Sequence, residues 1–474
     1  MNLDSKIVQK TLQSLLTDVA PKVLTSPDIS SVASLTTGTS TSTGNHKNER
    51  QRKPKSEEEE PIIKKRNDRA DSASSASDPA TMLYEKINTA YKEYLNQKNR
   101  ECFTFQENAI DIESQVPRPE TFSDKFLSRE MREYIKNDSQ KTLLFQCNIH
   151  QRNIQLCFIL FKKHVGASYY EDYALYYKAY AHRVFMWLHM ISSHSKCVES
   201  LNIYIYLTPF KKILPENKSE VIGPVNANTG YTYRCEKKNE IVIYREEEWF
   251  KVLLHETMHA FGNDFDLDYH ETVSDDLTKI FSLPPHIDVR LSETYSEIWA
   301  RIMNVAFQTY FKKPPSLESR NAKQFKKNFE FYLHLESVFS LYQCIKILDF
   351  MGVNYEILIG DSDNSNRMMQ TFYRENTHVF AYYVLTSILL HGNHEFLSWC
   401  IRNNGPGLHM FKVKATQDEF IRLILSCYKR NDLLQKIVET EKKVVRDYEK
   451  ASASNSDHQN QLTTTLRMTI VGFD

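Results

Sequence analysis

Apolar and polar positions alternate differently along three parts of the chain, and the elements expected follow from that. Up to about residue 80 there is almost no periodic pattern. Ile7, Val8, Leu12, Leu15 and Leu16 permit a small amphipathic helix, but Asp4 and Lys6 precede too short an apolar set for a signal peptide. Ser26 to Ala80 is low in complexity (SLTTGTSTSTG, then KNERQRKPK), too poor in apolar groups to offset the entropy of ordering, and reads as a disordered arm.

Periodicity begins at Thr81–Asn96, which predicts a helix. After an entry turn at Pro117–Pro119, Thr142–His150 and Asn153–Lys162 predict a β-hairpin around Gln151-Arg152. Tyr169–His194 is a long Tyr- and Phe-rich helix by its spacing. Leu201–Leu207 alternates as a strand, and Asn239–Arg245 is a second, expected at a sheet edge with Asn226–Gly230 setting up that edge. Trp249, Phe250, Val252, Leu253, Met258 and Phe261 carry a helical pattern that Gly262 and Asn263 should stop. Leu291–Asn304 is helical again. Beyond Pro314 the 3.6-residue spacing predicts helices over Phe325–Met351, Asn366–Leu390, Glu395–Asn403 and Gln417–Glu449. The last stretch is polar and should fray, although its MTIVGF has strand character. No internal repeat is apparent. The fold expected is α+β: an arm over 1–80, a small mixed sheet with its functional helix over 81–313, a helical lobe over 314–452 and a polar tail over 453–474.

The chemistry concentrates at Glu247–Asp266. His255-Glu256-Thr-Met-His259 is an H-E-x-x-H on an expected helix, where positions four apart share a face and both imidazoles can hold one metal ion. Glu256 is then placed to act as general base toward a water activated by that ion. A metzincin would continue to a third histidine, but Phe265 stands at that position, and Asp264, Asp266 and His270 are out of register. The better third ligand is downstream, in LSETYSEIWARIMN, where Glu293 and Glu297 lie four apart on one helical face. Glutamate zincins carry E-x-x-x-D on a second helix. The first carboxylate binds zinc and the second orients a ligand histidine through its far nitrogen. Here Glu297 takes the Asp position with a longer side chain.

Together these stretches resemble predicted zinc-peptidase proteins encoded by large nucleocytoplasmic DNA viruses, over about Tyr170 to Trp399. Asn228-Thr-Gly230 and Glu375-Asn-Thr-His-Val-Phe-Ala-Tyr-Tyr383 belong to the resemblance. It implies a zincin-like fold, one Zn²⁺ held by His255, His259 and Glu293, and Glu256 as base. A Tyr or His from the C-terminal lobe holds the oxyanion in glutamate zincins; His378, Tyr382 and Tyr383 are the candidates, with His391 and His394 further out, and Tyr382 and His378, one turn apart on one face, are preferred. The function expected is hydrolysis of peptide bonds in a peptide or protein substrate. The rival is a catalytically silent zincin-fold structural or virion assembly protein that keeps the metal, and the intact Glu256 argues against it.

Composition narrows the picture further. Lys+Arg and Asp+Glu are each 60, so no net field draws the chain to nucleic acid or to an anionic membrane. The basic clusters Lys47–Lys55 and Lys64–Arg66 suit a solvated linker, with a nuclear-localisation signal as the sharper reading. No run is long and apolar enough to span a bilayer. The eight cysteines are scattered without a C-x-x-C, which favours a reduced, intracellular setting: cytoplasm, virus factory or virion.

Overall fold

The computed structural model describes residues 78–98, 103–120, 126–165, 173–266, 270–312, 321–453 and 457–472. The expected N-terminal arm and its basic clusters lie outside these residues, apart from the last few before Thr81. So does the expected domain boundary at 313/314.

A mixed six-stranded sheet organises the N-terminal half. After a helix over Pro79–Lys98 come β1 (Phe103–Ala109), β2 (Ser139–Ile149) and β3 (Arg152–Phe161), joined antiparallel. The β2–β3 turn falls at His150 and Gln151, both at positive φ, as a tight two-residue hairpin requires. A helix over Tyr173–Ser192 then crosses over, so β4 (Ser200–Tyr206) lies parallel to β3. β6 (Lys238–Ile243) is parallel to β4, and the three-residue β5 (Gly230–Thr232) closes that side antiparallel, giving the order β1-β2-β3-β4-β6-β5.

Both faces of the sheet are covered. One carries the Tyr173–Ser192 helix and the helix Trp249–Ala260, hereafter the site helix. On the other, Val116, Leu127, Met131 and Ile135 pack on Ile159, Phe161, Tyr206, Val242 and Tyr244. That two-sided cover explains why β3 reads as an almost unbroken apolar run rather than an alternating one.

The helix Leu291–Phe311, hereafter the carboxylate helix, lies between the site helix and a long helix, Ala322–Met351. It is buried on nearly every side. The protein is therefore a mixed α+β structure with a helical C-terminal half.

Several expectations change. Asn239–Arg245 is not the sheet edge, because β5 pairs along its free side and takes that place. The helix expected over Asn366–Leu390 is interrupted. An α-helix ends at Phe372, and Asn376 donates its N–H to the Ile222 carbonyl (2.9 Å). Helical structure resumes as a π-helical turn over Phe380–Leu385 and continues over Thr386–His391. The apolar spacing continues through this break, which tertiary pairing imposes. Gln417–Glu449 likewise divides into Gln417–Cys427 and Asn431–Ala453, with Arg430 at the junction paired to Glu395 and Asp432.

The largest correction concerns the tail. Leu462, Leu466, Met468 and Ile470 are buried, and Leu466 donates its N–H to the Lys212 carbonyl. The polar composition of this stretch conceals an alternating apolar set that docks in the core. The cysteines are also not all unpaired. Cys197 and Cys235 form a disulfide across 38 residues, a pairing that only the fold brings together, while Cys157, Cys344, Cys400 and Cys427 are buried free thiols. No helix among the described residues is long and apolar enough to cross a membrane.

Candidate metal centre

The site helix ends as its sequence requires. Gly262 takes φ +59°, its N–H bonds to the His259 carbonyl (3.0 Å), and the Asn263 N–H bonds to the Met258 carbonyl (2.9 Å). This is a Schellman turn. It reverses the chain so that Asp264 comes back beside the helix, with Asp264 Oδ2 2.6 Å from His259 Nδ1. Arg234 holds the other oxygen of Asp264 at 3.2 Å. By its register Asp264 is not expected as a third ligand. The structure puts it behind the candidate ligand His259 instead, through a turn that helical spacing does not reveal.

The carboxylate helix faces the site helix with the register running in opposite directions. Glu293 lies opposite His259 and His255, and Glu297 lies opposite His255 and Lys251. His255 Nε2 is 3.1 Å from Glu293 Oε2 and 3.1 Å from His259 Nε2, and His259 Nε2 is 3.4 Å from the same Glu293 oxygen. The far nitrogen of His255 faces Glu297 Oε2 at 3.1 Å. The residues expected as ligands and as the supporting carboxylate are thus brought together.

These distances fit a metal ion. Ligand atoms at tetrahedral angles around zinc stand roughly 3.3 Å from one another, given bonds of about 2.0–2.2 Å. The observed triangle has sides of 3.1, 3.1 and 3.4 Å. The chemistry agrees as well. His259 Nδ1 hydrogen-bonds Asp264 and His255 Nδ1 stands 3.1 Å from Glu297; with the ring hydrogen on each outer nitrogen, two imidazole lone pairs and a carboxylate oxygen point at one another. Three converging acceptors repel unless a cation or protons lie among them, and a metal ion satisfies all three at once. His255, His259 and Glu293 are the one group able to hold a metal ion among the described residues.

The surrounding charges are consistent with this. Burial disfavours ionising Glu293, but the two histidines outweigh it and hold the carboxyl well below its usual range. Burial likewise opposes the Glu297 charge, and Lys251 and Arg301 overcome it. Glu256 differs. It is buried, makes no hydrogen bond or ion pair among the described residues, and burial raises its pKa despite both histidines.

Tyr382 comes from the π-helical turn and donates its hydroxyl to Glu293 Oε2 at 2.9 Å. Burial, reinforced by Glu293, raises its pKa well above 10, so it remains a donor. His378 lies one turn earlier, its Nδ1 donating to the Asp288 carbonyl at 3.3 Å and its ring edge-on to Tyr382. The two stretches flanking the centre also meet, since Thr377 donates its hydroxyl to Asn228 Oδ1 at 2.9 Å. Gly230 leaves room for the site helix: a Cβ there would lie 2.8 Å from Val252 Cγ1 and 3.4 Å from Glu256 Cγ. Comparison with known proteins gives no match to a family model, a curated protein or a solved structure, so the geometry carries the functional argument alone.

Proposed function

We propose that this protein is a zinc-dependent peptidase of the glutamate-zincin type. The reading rests on one observation above all: His255, His259 and Glu293 converge at ion-binding distances while Glu256, on the same helix, is a buried carboxylate without a partner. Buried carboxylates elsewhere in the site are hydrogen-bonded or ion-paired. One left free beside a cluster of metal ligands suits proton transfer better than stability.

His255, His259 and Glu293 would hold the ion, and Glu297 and Asp264 would fix the two imidazoles. A His/His/Glu set favours zinc. When bound, zinc supplies Lewis-acid polarisation of the scissile carbonyl and lowers the pKa of water. An extended peptide would lie along the free edge of β5, adding a strand there. Glu256 takes a proton from the attacking water as its oxygen bonds to the carbonyl carbon. As the C–N bond breaks, Glu256 passes that proton to the leaving nitrogen. The Tyr382 hydroxyl donates to the oxygen on which charge develops, and His378, its Nδ1–H engaged by the Asp288 carbonyl, packs beside that ring.

Glu256→Gln should retain the metal and lose turnover by roughly 10²-fold or more. The check is cleavage of a peptide library beside metal analysis of the same preparation. Robust cleavage by that variant would rule the mechanism out.

A further inference from the structure

The Glu297 carboxylate is more elaborately held than an orienting group requires. Lys251 Nζ donates to both of its oxygens at 3.0 Å, and Arg301 Nε donates to Oε1 at 2.8 Å. All three side chains are essentially sealed from solvent, at 2 % exposure for Lys251, 1 % for Glu297 and 0 % for Arg301. Lys251 is one turn before His255 on the site helix, and Arg301 is one turn after Glu297. The contact of Glu297 with His255 is therefore one face of a buried cluster that bridges both helices.

The cluster continues into the segment that the sequence presented as a frayed tail. Lys251 Nζ also lies 3.4 Å from Met468 Sδ. Glu248, three residues before Lys251, accepts the N–H groups of Met468 and Thr469 and pairs with buried Lys212. Glu336 accepts from the Thr469 hydroxyl (2.9 Å) and the Ile470 N–H (3.1 Å). Arg301 in turn reaches Ser340 Oγ and the carbonyl of Tyr382. The docked segment thus packs against the same ammonium that Glu297 engages and limits where it can go.

We propose that Lys251 is a positioning residue of the metal centre. It acts only through Glu297, pressing that carboxylate against His255, and the docked segment Leu466–Val471 holds it in place. The physical need is clear. A glutamate has one more rotatable bond than the aspartate it replaces in the glutamate-zincin pattern, so its carboxylate must be pinned from behind to keep one imidazole orientation. Two cations on one carboxylate supply that restraint, and the segment supplies the wall. This inference rests on the peptidase reading only as far as its metal site.

The test is a double-mutant cycle on zinc affinity, read by chelator competition, with the visible spectrum of the cobalt-substituted protein as a second readout. Lys251→Met should weaken zinc on the order of tenfold, the usual scale for a group behind a ligand, and shift the cobalt bands. Lys251→Arg should recover most of the loss. In a Glu297→Ala background, Lys251→Met should change affinity by less than about twofold, because its only route to the metal is gone. Glu248→Gln, which loosens the segment without touching Glu297, should weaken zinc in the same direction as Lys251→Met. Equal losses from Lys251→Met in both backgrounds would overturn the proposal, as would an unchanged affinity in the single variant. If Lys251→Met proves unstable, Glu248→Gln in the wild-type and Glu297→Ala backgrounds carries the same comparison. A wild-type chain that binds no zinc would overturn the metal-centre reading itself, and this inference with it. One zinc with additive losses would overturn this inference alone.

Discussion

At the level of single residues, the centre is two imidazoles with a carboxylate behind each. His255 has Glu297 and His259 has Asp264, while Glu293 alone faces the pair from the front. The roles should separate on mutation. Glu293→Ala removes a ligand atom and should weaken zinc more than Glu297→Ala, which leaves His255 bound but free to turn. Changes behind a ligand typically cost 10–100-fold in affinity. Zinc titration against a chelator gives the order, and the reverse order would exchange the two carboxylates. The candidate ligands are legible because helical spacing makes faces: the histidines stand four apart, and so do the glutamates. Asp264 is not, since it returns through a turn. Lys251 and Arg301 stand at helical spacing from His255 and Glu297, but nothing in the sequence marks a buried cation as different from a solvated one.

Elements with strong local signals are legible in the sequence, and those shaped by distant partners are not. The hairpin, the crossover helix and the glycine-stopped site helix follow from periodicity and turn chemistry. The break at Tyr373–Thr377 does not, because it exists to pair with Ile222 and Asn228 on the sheet side, and it is what aims His378 and Tyr382. The Schellman turn gives a direct test. Gly262→Ala introduces a Cβ at φ +59°, where it would also stand 3.0 Å from Cys197 Sγ. A loss of about 1–2 kcal/mol is expected from the backbone conformation alone. Because the turn carries Asp264, zinc affinity should fall with stability, measured by urea unfolding and metal titration on the same variant. Loss of stability with unchanged affinity would separate Asp264 from the turn.

Across the whole molecule, the C-terminal half and the sheet are joined through buried charge as well as apolar packing. Residues 462–471 were expected outside the core because their polar neighbours dominate the composition. What orders them is hydrogen bonding with their backbone, which no local pattern reveals: Lys346 and Tyr383 donate to the carbonyls of Leu462 and Leu466, while Glu248 and Glu336 accept the N–H groups of Met468 and Ile470. Buried acids of this kind also set a pH dependence. Burial raises Glu375 to about 8, against hydrogen bonds from the Tyr373 hydroxyl and the Phe380 N–H, and raises Glu336 to about 7. A carboxyl that binds its proton more tightly folded than unfolded adds stability that is complete below about 4.5 and is lost as pH rises through its folded value. The urea midpoint should therefore fall between about pH 5 and pH 8, and Glu375→Gln should flatten part of that fall. An unchanged slope in Glu375→Gln would mean that Glu375 titrates normally.

The central claim is that His255, His259 and Glu293 form a metal site. Metal content of the purified wild-type chain, beside His255→Ala, tests it most directly. The account predicts about one zinc per wild-type chain and its loss from the variant. A folded wild type that carries no zinc after incubation with the ion would contradict it.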